Sequence, residues 1–392
     1  MGECYLYKRG GGGSGGGVVG TEMTAIGSVI ALTNSMNKPL KGLRIFGRTT
    51  QNGTPSPTAP VPLVSPGDDG NLSVIVARKN LLDVNFVEKT DRGVTFTPIE
   101  DGGVKLTGAV TQGYPFWSVG KVFLVAGVSY YASLSGNVLQ KMGLRVIDRS
   151  VSPNITAADS AAAFTAKSTG WYDFEITTNP GFEGSTTIHP MIETGKAVTE
   201  HEKYDSQSAT FSTPNGLPGI PVASGGNYTD TSGLQWGCDE VDSGTGEYVQ
   251  NVGEWVFNGN ENWKYSAPYF YLYGLNDIVP TSGANVNPPL MCDHYETKTA
   301  NQVSSSASAY NQIGITHRAS EVRINNHTAD LSAFTAQLKA SPIRVLYQLA
   351  TPIRTPLSAE ELAAYAALHT NSPNTTIYND GGAEMEVKYM GG

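Results

Sequence analysis

Trp171-Tyr172-Asp173-Phe174-Glu175-Ile176 is the stretch on which the reading turns. Large apolar side chains recur at every second position. Successive side chains of a strand point to opposite faces, so this is a half-buried strand. Tyr172, Phe174 and Ile176 take the core face. Trp171, Asp173 and Glu175 share the other. A helix would instead space its apolar residues by three and four.

The same alternation recurs on both sides. Val94 and Phe96 face Val104 and Leu106 across the turn residues Glu100-Asp101-Gly102-Gly103, a hairpin pattern. Val122–Leu124 and Val128–Tyr130 suggest a second hairpin around Ala126-Gly127, and Leu144–Val146 a further strand. Short strands at regular spacing, with turn residues between them, predict an antiparallel sandwich or jelly roll over 79–212.

Upstream, 21–78 reads as a small β module. Leu43–Gly47 and the alternating Leu72, Val74 and Val76 are its strands. Prolines at 55, 57, 60, 62 and 66 make the intervening segment an extended connection. Downstream, 213–392 reads as a C-terminal β domain, with strands at Val322–Ile324, Ile343–Tyr347, Thr375–Tyr378 and Met385–Tyr389. Tyr269-Phe270-Tyr271-Leu272-Tyr273 is aromatic on both faces, which suits a buried or interface strand. Two short helices are expected. One spans about 329–340, with Asp330 as N-cap and Leu331, Phe334 and Leu338 on one face. The other spans about 359–369, with a Ser358/Glu361 capping box and Leu362, Tyr365 and Leu368 as its apolar face. The expected fold class is therefore mainly β: tandem antiparallel β-sandwich or jelly-roll domains with two short helices near the C-terminus.

Composition agrees. The 392 residues carry 26 Lys and Arg against 35 Asp and Glu, a net charge of −9. An acidic chain is a poor partner for a phosphate backbone, so nucleic acid is not expected. Only 16% of residues are charged, yet 19 Tyr, 12 Phe and 5 Trp argue against disorder. No apolar run reaches the length of a membrane-spanning helix, so no membrane insertion is expected. Residues 1–20 read as a docking peptide. Tyr5, Tyr7, Lys8 and Arg9 are its candidate particle-attachment residues, and a glycine-rich run follows at 10–17. An expression scar would read the same way. The leader lacks the apolar stretch of a signal peptide.

Motifs for chemistry are sparse. The six histidines are scattered and no zinc or nucleophile-elbow pattern occurs. Cys4, Cys238 and Cys292 give no disulfide framework and read as free thiols, with a Cys238–Cys292 pair as the alternative. Asp68-Asp69-Gly70-Asn71 and Asn379-Asp380 fit turns better than calcium loops. Asp239 and Glu240 are neighbours, so they point to opposite sides of a strand. Asp173 and Glu175 share a face, as a glycosidase pair must. No cofactor, no metal and no catalytic residue is expected.

The aromatic residues carry the functional expectation. A solvent-side Trp beside hydrogen-bond acceptors can stack the apolar face of a pyranose while carboxylates take its hydroxyls. Trp171, Asp173 and Glu175, with Tyr114 and Trp117 of Tyr114-Pro115-Phe116-Trp117, are therefore the candidate glycan-binding residues. The competing reading has these rings plugging the sandwich ends or a subunit interface.

Several phrases resemble structural proteins of tailed bacteriophages. They are Arg78-Lys79-Asn80-Leu81-Leu82-Asp83, then Pro190-Met191-Ile192-Glu193-Thr194-Gly195 with a later Tyr204. Leu346-Tyr347-Gln348-Leu349-Ala350-Thr351-Pro352 and Thr355–Glu361 complete the set. The resemblance implies a carbohydrate-binding-module-like jelly roll over 79–212. It also implies a non-enzymatic virion component, of tail, baseplate or fibre type, assembled in the bacterial host cytoplasm. Its expected partners are other virion proteins and host cell-surface carbohydrate; a homotrimer is also expected, because several copies raise the weak affinity of a single glycan site. The alternatives are a capsid decoration or head-fibre protein with a purely architectural role, and a depolymerase using Asp173 and Glu175.

Overall fold

The computed structural model describes residues 21–33, 37–136, 142–149, 155–159, 161–275, 277, 290–298, 303, 310–315, 321–326, 328 and 330–391. The protein is mainly β, with multiple antiparallel sheets. Among the described residues there are two short helices, Leu331–Ala340 and Ala359–Ala366. The chain gathers into two compact units, each assembled from separated stretches. The first comprises 1–43, 73–210 and 359–392; the second comprises 44–72 and 211–358.

In the first unit a six-stranded and a five-stranded sheet enclose one core. The six-stranded sheet runs Ala161–Thr165, Ser129–Gly136, Glu183–Thr194, Val104–Ala109, Val94–Pro98, Lys89–Asp91. The five-stranded sheet runs Ile155–Asp159, Met142–Ile147, Gly170–Thr178, Phe116–Leu124, Asp83–Val84. Phe96, Leu106, Tyr130 and Ile192 from one sheet meet Val122, Leu144, Tyr172, Phe174 and Ile176 from the other, all buried. Each fully buried side chain of this size is worth roughly 1.5–3 kcal/mol of removed apolar surface. The hairpin between Val94–Pro98 and Val104–Ala109 forms as expected, with Phe96 opposite Leu106.

The expected hairpin around Ala126-Gly127 does not form. Phe116–Leu124 pairs with Gly170–Thr178, whereas Ser129–Gly136 pairs with Ala161–Thr165 and Glu183–Thr194. The turn is an arch that carries the chain from one sheet to the other. A hairpin and an arch use the same turn residues. Here Val122 and Leu124 find partners on Gly170–Tyr172, and those distant pairings decide.

Asn80 and Glu193 anchor buried turns of this unit. Asn80 is buried; its Oδ1 accepts from the Leu82 amide at 2.9 Å and the Ile192 amide at 3.3 Å. Its Nδ2 donates to the Glu202 carbonyl at 2.9 Å. Glu193 accepts from the amide and hydroxyl of Thr199 at 2.8 and 2.7 Å. These buried groups thus have the partners that burial requires.

Also in this unit, the strand Asn374–Asn379 lies between Val29–Thr33 and Asn71–Ala77. Glu384–Gly391 pairs with Thr21–Gly27. The helix Ala359–Ala366 is shorter than expected. Leu362 on its apolar face is exposed, while Leu368, past its end, is buried.

The second unit centres on the long pair Glu247–Phe257 and Ile343–Pro356. Phe257, Trp263, Phe270, Phe334, Leu338 and Ile343 form its largest core, with Phe270 stacked on Phe334 at 4.1 Å. The helix Leu331–Ala340 begins as expected: the Asp330 carboxylate accepts from the Ala333 amide at 2.8 Å. In Tyr269–Leu272 the burial alternates, Phe270 and Leu272 in, Tyr269 and Tyr271 half out. Cys238 and Cys292 are free and buried.

Candidate functional site

The outer face of the five-stranded sheet is built by strand parity. With Tyr172, Phe174 and Ile176 in the core, Trp171, Asp173, Glu175 and Thr177 must project outward. Register then sets their neighbours. Trp171 lies opposite Phe123, Asp173 opposite Lys121, Glu175 opposite Ser118 and Thr177 opposite Phe116. On the other side Glu175 lies opposite Arg145, and Asp83 lies beyond Lys121. The face is a polar stripe with aromatic rings at both ends.

The two carboxylates of the stripe are not open acceptors. Asp173 is 8% and Glu175 2% exposed. Arg145 donates from Nη2 to Glu175, and Arg149 donates from Nε to Asp173. Arg149 Nη2 also donates to Glu175 at 2.9 Å. The hydrogen bond to Asp173 raises the Arg149 pKa above its ordinary value. Charge-assisted bonds of this kind stiffen the sheet face. They also engage both members of the carboxylate pair that a depolymerase would need free.

Trp171 remains 55% exposed. It stands at a cleft of about 400 Å³ with Asp83, Asn85, Ser118, Lys121 and Tyr204. Leu81, Ile75 and Tyr378 line the apolar part of the wall. Burial, with Tyr204 beside it, pushes the Tyr378 phenol well above its usual pKa, so it stays neutral. A ring, a hydroxyl, an amide, an ammonium and a carboxylate around one exposed indole can stack and hydrogen-bond a polyhydroxylated ring.

The other predicted residues divide. Tyr114 is exposed and lines a second cleft, with Phe116 and Arg145. Trp117 sits opposite Ile176 and packs against the core, away from Trp171. Phe116, its neighbour, takes the outer face instead. The sequence reading missed Phe116, Arg145, Arg149 and Lys121. The register shift near Phe174/Glu175 reverses the parity of one strand against the other, which no local pattern announces. Tyr5, Tyr7, Lys8 and Arg9 lie outside the described residues.

Elsewhere, carboxylate and amide side chains serve structure. Asp68 accepts from the Ser65 amide at 2.8 Å, and Asn379 accepts from the Ala383 amide at 2.8 Å. Asp239 accepts from the amides of Asn251 and Val252 at 2.7 and 2.8 Å and from the Tyr248 hydroxyl at 2.9 Å. Glu240 instead meets Arg44 at 2.7 Å. No group of three or more His, Cys, Asp or Glu side chains with metal-binding geometry occurs among the described residues. No described helix is long and apolar enough to cross a membrane. In comparisons with known proteins, no family model, no curated protein and no solved structure matches this chain.

Proposed function

We propose that the protein is a non-enzymatic virion component of a tailed bacteriophage, of tail or fibre type, that binds host cell-surface glycan. The phage part rests on the sequence phrases, and the glycan part on one observation. Trp171 leaves its indole exposed over a cleft furnished with hydroxyl, amide and charged groups. A Trp on a sheet face whose ring meets Phe123 only edge to face, and which stays half exposed, invites stacking by an apolar ring surface. A sugar ring offers that surface and also satisfies the polar wall. Weak single-site binding of this kind gains from several copies held together, so a homotrimer suits the reading.

The architectural alternative has its own support. In the second unit Ile353 and Val256 are exposed apolar residues on the long strand pair. Such residues suit packing between subunits.

Titration with host wall polysaccharide, followed by Trp fluorescence and by particle adsorption to cells, tests the proposal. The expected result is saturable binding by the wild type and loss of both signals in Trp171→Ala. A Trp171→Ala particle that adsorbs normally but assembles poorly would overturn it in favour of the architectural role.

A further inference from the structure

The second cleft on the same sheet face has a different chemistry. It is open, has a volume of about 700 Å³, and is lined by Arg92, Gln112, Tyr114, Phe116, Arg145 and Thr177. The Phe116 ring carries two guanidiniums. Arg145 Cζ lies 4.5 Å and Arg92 Cζ 5.5 Å from its centroid. In a chain of net charge −9, this cleft presents two arginines and no acidic residue in its lining.

The nearest carboxylates lie outside the lining, each beside one of these arginines. Asp91 accepts from the Phe116 amide at 3.1 Å and stands 3.7 Å from Arg92. Glu175 lies buried against Arg145 and Arg149. Arg92 donates to the Tyr114 carbonyl, which fixes its direction. Both guanidiniums are therefore pre-positioned by contacts to the protein, so little side-chain freedom remains to be lost on binding. The arrangement suits a planar or tetrahedral anion attached to a ring: the anion meets the guanidinium edges and the ring lies against Phe116 and Tyr114.

We infer that this cleft is an anion-selective subsite for a carboxylated or phosphorylated sugar. The inference rests on the glycan reading above and sharpens it. From Trp171 to Thr177 is six residues of strand, about 20 Å at ~3.3 Å per residue. An oligosaccharide rather than a single ring would reach both clefts, its neutral part on Trp171 and its acidic unit between the arginines.

The test is NMR titration of the full chain with glucuronate, glucose 6-phosphate and glucose, on the wild type, Arg92→Gln and Trp171→Ala. The expected result is a shift of the Arg92 and Phe116 signals with one or both anions and not with glucose. Affinity should fall about fivefold or more in Arg92→Gln and weaken as salt rises from about 0.05 M to about 0.5 M. Trp171→Ala should leave monosaccharide anion binding unchanged. A response to glucuronate alone identifies a carboxylated sugar, and one to glucose 6-phosphate alone a phosphorylated one. Equal binding of glucose, indifference to Arg92→Gln, or no binding of either anion overturns the inference. If anions fail while wall polysaccharide still depends on Trp171, only this inference falls. If anions bind as expected while wall polysaccharide does not bind, only the glycan reading falls.

Discussion

Trp171 meets Phe123 edge to face, with ring centroids 5.6 Å apart and planes at 76°. The two residues are cross-strand partners, so the sheet register itself holds the indole upright. Phe123 is buried while Trp171 stays exposed. The pair gives a binding ring a rigid mount without burying it.

Trp171→Ala should therefore separate binding from folding. An aromatic pair contributes about 0.5–1.5 kcal/mol beyond burial. The loss of stability in urea should stay near that range, while affinity for wall polysaccharide falls about tenfold or more. A variant that unfolds would mean that Trp171 is a structural ring.

Glu175 and Glu247 make a contrast in ion-pair environment. Glu175 is buried against two arginines, whereas the Arg354–Glu247 pair, 2.6 Å apart, lies on an exposed strand end. Glu175→Ala leaves the Arg145 guanidinium without its carboxylate, while Arg149 keeps Asp173, and should cost about 3 kcal/mol. Arg354→Ala should cost about 0–1 kcal/mol. Denaturation by urea measures both. Similar costs would show that the stripe on the sheet face adds no special rigidity.

Asp239 gives the second unit a pH dependence. Burial pushes its pKa from 3.8 up to about 7, against the hydrogen bonds that favour the anion. Between those values the folded state holds a proton that the unfolded chain has released. Stability should then fall as pH rises from about 4 to about 7 and flatten above that. Asp239→Asn mimics the protonated form, because its amide oxygen still accepts and its NH2 faces the Tyr248 hydroxyl. Its stability should vary less over that window. Chemical denaturation at several pH values checks the sign. Parallel curves for wild type and variant would show that Asp239 is ionised throughout.

Much of the fold was legible from local pattern. The strand around Phe174, the Phe96/Leu106 hairpin and the Asp330 cap each depend on residues within a few positions of one another. The arch after Leu124 was not legible, because turn residues report only that the chain reverses. The candidate site was legible at Trp171, whose parity follows from its own strand. It was not legible at Trp117 and Phe116, because a bulge between two strands set which of them faced outward.

By itself the sequence determined the strands, their buried faces and the exposed side of Gly170–Thr178, since side-chain alternation is a property of one strand. Only the tertiary structure decided that Arg145 and Arg149 cover Asp173 and Glu175, and that Arg92 joins Arg145 at Phe116. Those neighbours come from other strands and turns. Cross-strand register, set by the summed packing of the whole core, is what brings them together.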